Sequence, residues 1–386
     1  MNRIFKHKHI IIGGDNLNSL SIIRSLGEKG IRPIAIIIQE NHIPQVRKSK
    51  YVKTYIETSS FEESLKVLLS YGDVSFPPFV YTSDDNHQSM LDEHYDQLVN
   101  RFHFFNAGQA GRINYYMDKE NLCQLAHECG FRVPKREVVD LGVLPKQITY
   151  PVITKTINSY SAGWKRDVGI YYSEPELSEA YKGMISKRLL LQEYITKKNE
   201  LEVHGFSING GEEVYLSYYS LYYRFTDTTF GGYKYYKPLV DEVVSEKIKK
   251  MIRKVHFTGN FEVEFLVDKD DELVFLEINF RFPLSNYACT YGGSNMPYLW
   301  AQSILQNKIV YPINRLKDFF TCKNEAIDFS QTVGRKKMSF YKWFKETIDT
   351  DCLLIFNRHD MKPFIGFWLG KFNKIGRVFS KIFRQK

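Results

Sequence analysis

The stretch that most restricts how this chain can fold runs from Thr258 to Arg281, where GNFEVEFLVDKDDELVFLEINFR follows the threonine. Phe261, Val263 and Phe265 alternate into Leu266 and Val267, a charged segment Asp268 to Glu272 turns the chain, and Leu273 to Ile278 returns. This pattern predicts a β-hairpin. Glu264 and Glu277 sit inside its apolar runs, where a carboxylate loses hydration unless a metal or a cation compensates. Asn279 lies two residues beyond Glu277 and shares its strand face, so Glu264, Glu277 and Asn279 form an all-oxygen set of the kind that suits magnesium. Arg281 keeps the same phase and offers a cation to phosphate oxygens. The competing reading is a solvated hairpin whose glutamates face water, and Glu262, on the same face as Glu264, keeps that reading open.

A chain of 386 residues has room for two or three domains with a well-buried core. It contains no run of 18 uncharged apolar residues that would span a membrane. The basic start MNRIFKHKHI passes directly into a strand and a glycine turn, without a small-residue cleavage site, so the expected location is the cytoplasm. The five cysteines (Cys123, Cys129, Cys289, Cys322, Cys352) show no CxxC spacing, and reduced thiols are expected. A formal charge of +9 invites a nucleic-acid reading, but residues 361–386 hold seven Lys/Arg and no Asp/Glu, which leaves 46 bases against 44 acids elsewhere. The near-neutral remainder argues against a nucleic-acid partner.

Read in order, residues 8–38 give strand, Gly13-Gly14 turn, helix (Leu17 to Lys29) and strand (Ile34 to Ile38), the opening of a parallel α/β sheet. The turn is not GxGxxG, and it reads as a tight turn at a ligand-binding sheet edge. A helix around Ser60 to Ser70 and a strand Phe79 to Thr82 follow. Ser83-Asp84-Asp85-Asn86 could then touch substrate or cap the next helix. A short strand is expected at Phe102 to Phe105. Asp118 caps a helix with Leu122, Leu125, Ala126 and Cys129 on its apolar face, and Gly130 stops it. Lys119 sits in the first turn, where the helix dipole does not favour a cation, so it marks either a bound anion or an ordinary surface lysine.

The strand Pro151 to Lys155 places an ammonium at its end, and the small-residue loop from Ser159 to Trp164, with Ser161 and Gly163, offers backbone N–H groups as a phosphate clamp. An exposed hairpin turn is the plain alternative, and the loop is not a Walker A motif. The strand Leu189 to Tyr194 ends at Glu193, Tyr194 and Ile195, whose backbone could meet a planar ring at a hinge. Glu200 and Glu202 could accept from ribose hydroxyls or belong to a solvated turn. Strands Leu201 to Ile208 and Glu213 to Tyr222 flank the turn Asn209-Gly210-Gly211, and a helix spans Asp241 to Val255. Arg224 opens a Thr/Gly-rich loop and is either a contact for a substrate carboxylate or a surface arginine.

These elements, taken in order, resemble the ATP-grasp fold and within it the carboxylate–amine ligases. The quoted matches are MDK at 117–119, PVITK at 151–155, SYSAGWK at 159–165, QEYI at 192–195, GNFEVEF at 259–265 and LEINFR at 276–281. The resemblance is similar overall to D-aspartate ligases and to the biotin carboxylase and carbamoyl phosphate synthase branch. It implies an α/β and α+β architecture: an N-terminal open parallel α/β domain at 1–112, an ATP-grasp domain at 113–310 with a lid lobe at about 151–195 and a larger antiparallel lobe, and an extension at 311–386. It also implies ATP and Mg2+ as cofactors. Lys119 and Lys155 would then contact phosphates, the 159–165 loop would cover them, Glu193 to Ile195 would meet adenine, and Glu200, with Glu202 second, would take the ribose. Glu264, Glu277 and Asn279 would hold magnesium, with Lys155 and Arg281 beside the transferring phosphoryl group. Phe280 departs from the Pro or Thr that members often carry there.

The implied activity joins a small carboxylate or amino acid to an amine acceptor through an acyl phosphate, with a non-catalytic nucleotide sensor or scaffold as the other reading. A homodimer is an assembly the sequence leaves open. In the tail at about 364–386, Phe372, Ile375, Phe379, Ile382 and Phe383 recur at helical spacing opposite Lys371, Lys374, Arg377, Lys381 and Arg384. This is either an interfacial helix on an anionic membrane surface, which would place the protein on the inner face of the membrane near a cell-envelope acceptor, or a helix docked on its own core.

Overall fold

The computed structural model describes residues 3–39, 45–157, 166–224 and 231–370. The chain forms two compact units: the first comprises Met1–Ile113, Glu202–Glu262 and Asn279–Lys386, the second Asn114–Leu201 and Val263–Ile278.

In the first unit, β1 (His9–Gly14), β2 (Ile34–Ile38), β3 (Thr54–Thr58) and β4 (Phe79–Thr82) form a parallel sheet of order β3-β2-β1-β4. β1 is buried along its whole length, as expected for the near-continuous apolar run of a central parallel strand. Ile10, Ile12, Ile34, Ile36 and Val80 supply its core. The expected turn at Gly13-Gly14 is instead the end of the strand, with Gly13 paired to Ile37 and Gly14 to Ile38, and glycine is needed at 13 for close approach, since a Cβ there would fall 1.9 Å from Ser83 Oγ. Asn16 then caps the helix Leu17–Gly27, accepting from Ser19 N at 3.1 Å. Two further sequence expectations are revised. Phe102 to Phe105 contributes only an isolated bridge between Phe79 and His103. The strand the sequence did not announce is β3 at one edge of the sheet, whose TYIET stretch has a single buried residue, Thr58, and lacks the apolar pattern that marks a buried strand.

The second unit contains a four-stranded sheet of order β5-β8-β6-β7, built from β5 (Arg136–Asp140), β6 (Val152–Lys155), β7 (Gly169–Tyr171) and β8 (Arg188–Glu193). β5 pairs with β8, β8 with β6 and β6 with β7, each antiparallel. The helix Glu174–Tyr181 packs on it through Leu177 and Tyr181, against Val139, Val152, Leu189 and Leu191. The helix Lys119–Glu128 begins as expected, with Asp118 accepting from Glu120 N (2.9 Å) and Asn121 N (3.1 Å).

A seven-stranded sheet completes the molecule: β9 (Lys197–Ile208), β10 (Glu213–Tyr222), β11 (Tyr233–Pro238), β12 (Gly259–Asp268), β13 (Leu273–Asn279), β14 (Phe320–Lys323) and β15 (Cys352–Leu353), in the order β13-β12-β9-β10-β11-β14-β15. The hairpin expected around 258–281 is β12 and β13. The boundary between the units falls inside β9, β12 and β13. β14, β15 and the helix Phe340–Ile348 give the segment after residue 310 a structure that its sequence did not announce. Within the first unit the buried Asp360 ties this segment down, accepting from Arg24 Nε (3.2 Å), Ser49 Oγ (2.8 Å) and Lys50 N (3.0 Å). Residues 361–370 are helical, and the part of the expected amphipathic tail from 371 onward lies outside the described residues. Among the described residues, no helix is long and apolar enough to cross a membrane.

Candidate functional site

In the second unit, β6 carries Lys155 at its end, opposite Leu190 of β8. Burial and the neighbouring Lys119 pull its ammonium down to a pKa of about 8, while Glu277 and Cys123 act in the opposite direction. Arg136, Lys155 and Lys119 all lower the Cys123 thiol, whose pKa burial nevertheless raises. Three cations therefore act on the buried Cys123, and the half-buried Glu277 of β13 acts on one of them, Lys155. Like charges gathered in partly dehydrated surroundings repel, and a bound polyanion relieves that repulsion. Glu264 is half-buried on β12, between the buried Val263 and Phe265. Two carboxylates on neighbouring strands supply hard oxygen donors, which is the chemistry magnesium requires.

The first unit presents a polar sheet face made by period-two placement on four strands. Glu202 and His204 lie on β9, Ser220 and Tyr222 on β10, Lys234 and Tyr236 on β11, and Glu262 on β12. The register pairs Ser220 with Tyr236 and Tyr222 with Lys234. Glu202 is buried, ion-paired with Lys234, and accepts from Ser220 Oγ at 2.9 Å. Burial raises the Glu202 pKa, but the ammonium and its other partners outweigh that and hold it below the usual carboxylate range. His204 is fully buried, stacks on Tyr236 and lies 3.2 Å from Glu262 through Nδ1; burial drives its pKa down to about 4, so it is neutral at pH 7. Glu262 accepts from Asn279 Nδ2 (3.3 Å) and Ser285 Oγ (3.2 Å). The Asn279 amide is thereby oriented, with Oδ1 accepting from Arg281 Nη2 at 3.0 Å.

Arg281 is also held by Asp85, with Nε 3.1 Å from Oδ1 and Nη2 3.4 Å from Oδ2. Asp85 opens the helix Asp85–Glu93, which Asp84 caps by accepting from His87 N at 2.9 Å. Asp84 also accepts from Gly14 N at 3.2 Å, joining the ends of β1 and β4. The capping reading of Ser83 to Asn86 therefore accounts for Asp84, and Asp85 has the separate task of holding Arg281.

No protein-family model matches the chain. Over 253 residues it is 24% identical to the N5-carboxyaminoimidazole ribonucleotide synthase of Staphylococcus haemolyticus, a match covering 58% of this chain and 65% of that protein, slightly less than two thirds of its length. Among solved structures, the N5-carboxyaminoimidazole synthetase from Staphylococcus aureus complexed with ADP aligns with a TM-score of 0.63 at 15% identity, over 85% of each chain. The L-amino acid ligase from Bacillus licheniformis aligns with a TM-score of 0.58 at 14% identity, over 82% of this chain and 79% of that one. The chain has the ATP-grasp fold.

Within this ATP-grasp fold, several residues named from sequence are placed differently from expectation. Glu202 is buried in the sheet face and paired with Lys234, a partner its sequence position did not suggest. Glu200 is ion-paired with Lys197. The backbone N–H groups of Glu193 and Tyr194 donate to Lys135 O (2.8 Å) and Pro151 O (3.1 Å), and Glu193 Oε2 accepts from Lys135 N (3.1 Å). A ring at this hinge would meet groups other than those two amides; Ile195, next along, is buried. Arg224 makes a forked bond to Asp328 (2.9 and 3.1 Å) and another to Glu346 (2.8 Å), so its guanidinium is occupied by the segment after residue 310 rather than presented to a carboxylate ligand. Ser161, Gly163 and the rest of the 159–165 loop lie outside the described residues, as do residues 225–230 after Arg224. Sequence reasoning missed Arg136, Lys234 and His204, named Asp85 without its partner Arg281, and left Glu262 as the bland member of its pair. The available signal was the alternation itself, since Glu202 with His204 and Glu262 with Glu264 each repeat at the spacing of one strand face.

Proposed function

We propose that the chain is an ATP- and magnesium-dependent carboxylate–amine ligase. The observation that carries this reading is that Lys119, Lys155 and Arg136 all act on the buried Cys123, with Glu277 acting on Lys155, a gathering of positive charge that a polyphosphate would relieve. Lys119 and Lys155 would hold the phosphates, and Glu264 and Glu277, with Asn279 from the motif, would hold magnesium. When bound, magnesium neutralises charge on the outer phosphates. The residues of the chain do the rest. Lys155, mostly protonated at pH 7 and more so with an anion beside it, stabilises charge on the transferring group. Glu262 keeps the Asn279 amide turned one way, and Asp85 and Asn279 fix Arg281 in direction so that little reorganisation is needed during reaction.

Activating a carboxylate as an acyl phosphate, with the amine then displacing phosphate, needs positioning and cations rather than a covalent protein nucleophile. The names of the similar proteins concern a carboxyaminoimidazole ribonucleotide and L-amino acids, which favours a small-molecule amine over the cell-envelope precursor expected from sequence. ADP release measured across a matrix of small carboxylates and amines, with mass detection of the product, tests the proposal. Release should require both substrates and fall at least about a hundredfold in a Glu264→Ala/Glu277→Ala variant that keeps its circular dichroism. Nucleotide binding with no release for any pair would favour the sensor reading instead.

A further inference from the structure

The helix Phe340–Ile348 has two faces with opposite fates. Its inner face is fastened: Trp343 is buried and donates from Nε1 to Asp328 Oδ2 (2.9 Å), Glu346 pairs with Arg224, and Thr347 Oγ1 accepts from Lys323 Nζ (3.2 Å). Its outer face is apolar and open to solvent. Phe340 is 59% exposed, Tyr341 78%, Phe344 49% and Ile348 67%. Positions 340, 344 and 348 recur every fourth residue, and 341 lies beside them, so the four side chains form one continuous stripe. Exposed aromatic and aliphatic side chains in such a row mark an interaction surface.

Cations border the stripe. Residues 335–345 hold Arg335, Lys336, Lys337, Lys342 and Lys345 and no acid, and all five are exposed. With this segment and residues 361–386 set aside, the remaining chain has 41 bases against 44 acids. The net positive charge is therefore concentrated in these two places. A second copy of the chain meeting this face through a two-fold axis would bring cations against cations. The basic segment 371–386, offered as a cover, meets the same repulsion. An anionic lipid surface matches both the apolar stripe and its basic border.

We propose that the outer face of the helix Phe340–Ile348 docks on an anionic membrane surface, with Phe340, Tyr341, Phe344 and Ile348 at the acyl boundary and the flanking lysines among the headgroups. The proposal stands independently of the ligase reading. Flotation of the full chain with phosphatidylcholine vesicles, with and without roughly a third of phosphatidylglycerol, tests it. Wild type should float with the anionic vesicles and be released by salt. Phe344→Glu/Ile348→Glu should reduce the bound fraction about tenfold, and Lys342→Gln/Lys345→Gln should reduce it severalfold and flatten the salt dependence. Circular dichroism melts establish that both variants fold, since all four residues are exposed. Three outcomes would overturn the proposal: no flotation of wild type, flotation unchanged in both variants, or a solution dimer that Phe344→Glu/Ile348→Glu splits in the absence of vesicle binding.

Discussion

Lys155 carries its ammonium in surroundings that oppose it, and this has opposite consequences for the empty and the occupied protein. Its pKa falls from 10.5 to about 8 through burial first and Lys119 second. Between those values the unfolded chain holds a proton that the native state lacks, so this residue's contribution to stability rises with pH through that window. Below about 8 both states are protonated and the destabilisation is present in full. Lys155→Met should therefore raise the melting temperature without nucleotide at pH 7 by about 2–4 °C, the scale of ~1 kcal/mol in domains of this size. The gain should shrink above pH 8, and the rise that Mg-ATP gives wild type should disappear. Calorimetric titration of wild type at pH 8.5, in buffers of different ionisation enthalpy, should register proton uptake on nucleotide binding, because an anion beside Lys155 favours its charged form. Equal enthalpies in all buffers would remove Lys155 from the phosphate contacts. Glu262 shows what sequence could not convey at this scale. Its alternation with Glu264 was visible, but a strand pattern does not reveal which of two same-face carboxylates lies deeper, and here the deeper one holds Asn279 and Ser285.

At the scale of elements, most of the fold was legible because its signals are local. The Asp118 cap, the helix starts at Ser60 and Asp241 and the alternating runs of β10 and β12 each announce themselves within a few residues. β3, β14 and β15 did not, because their stability comes from partners far along the chain rather than from their own pattern. The partners of Arg224 were illegible for the same reason, since they lie more than a hundred residues away in the helix Glu325–Gln331 and the helix Phe340–Ile348. Asp328 is 3% exposed and depends on Arg224, Lys323 and Trp343 for its compensation. Arg224→Ala leaves that carboxylate short of a forked partner and should destabilise by about 2–4 kcal/mol, read from the urea midpoint. Substrate KM values of the folded enzyme should stay within about twofold of wild type. A KM rise beyond about tenfold for one substrate, with stability unchanged, would restore Arg224 as a ligand contact.

At the scale of the whole molecule, the chain passes between its two units four times, after residues 113, 201, 262 and 278. The residues assigned here to phosphates and magnesium divide unevenly between them. Lys119, Arg136, Lys155, Glu264 and Glu277 belong to the second unit, and Asn279 and Arg281 to the first. A ligand that binds only the native state stabilises the segments whose opening would release it, by about 4 kcal/mol at a thousandfold excess over its dissociation constant. Local openings that do not disturb the bound groups gain nothing. Mg-ATP should therefore slow hydrogen exchange most in Lys119–Glu128, Val152–Lys155 and the part of the hairpin between Val263 and Ile278. β2 and β3 of the parallel sheet, which carry none of the assigned groups, should exchange as before. Exchange mass spectrometry with Mg-ADP as the second ligand separates the contributions, because loss of the outermost phosphate should weaken protection around Lys155 before it weakens protection elsewhere in the second unit. Protection centred on β2 and β3 instead would place the nucleotide at the open edge of the parallel sheet and leave the cationic cluster of the second unit without its proposed ligand.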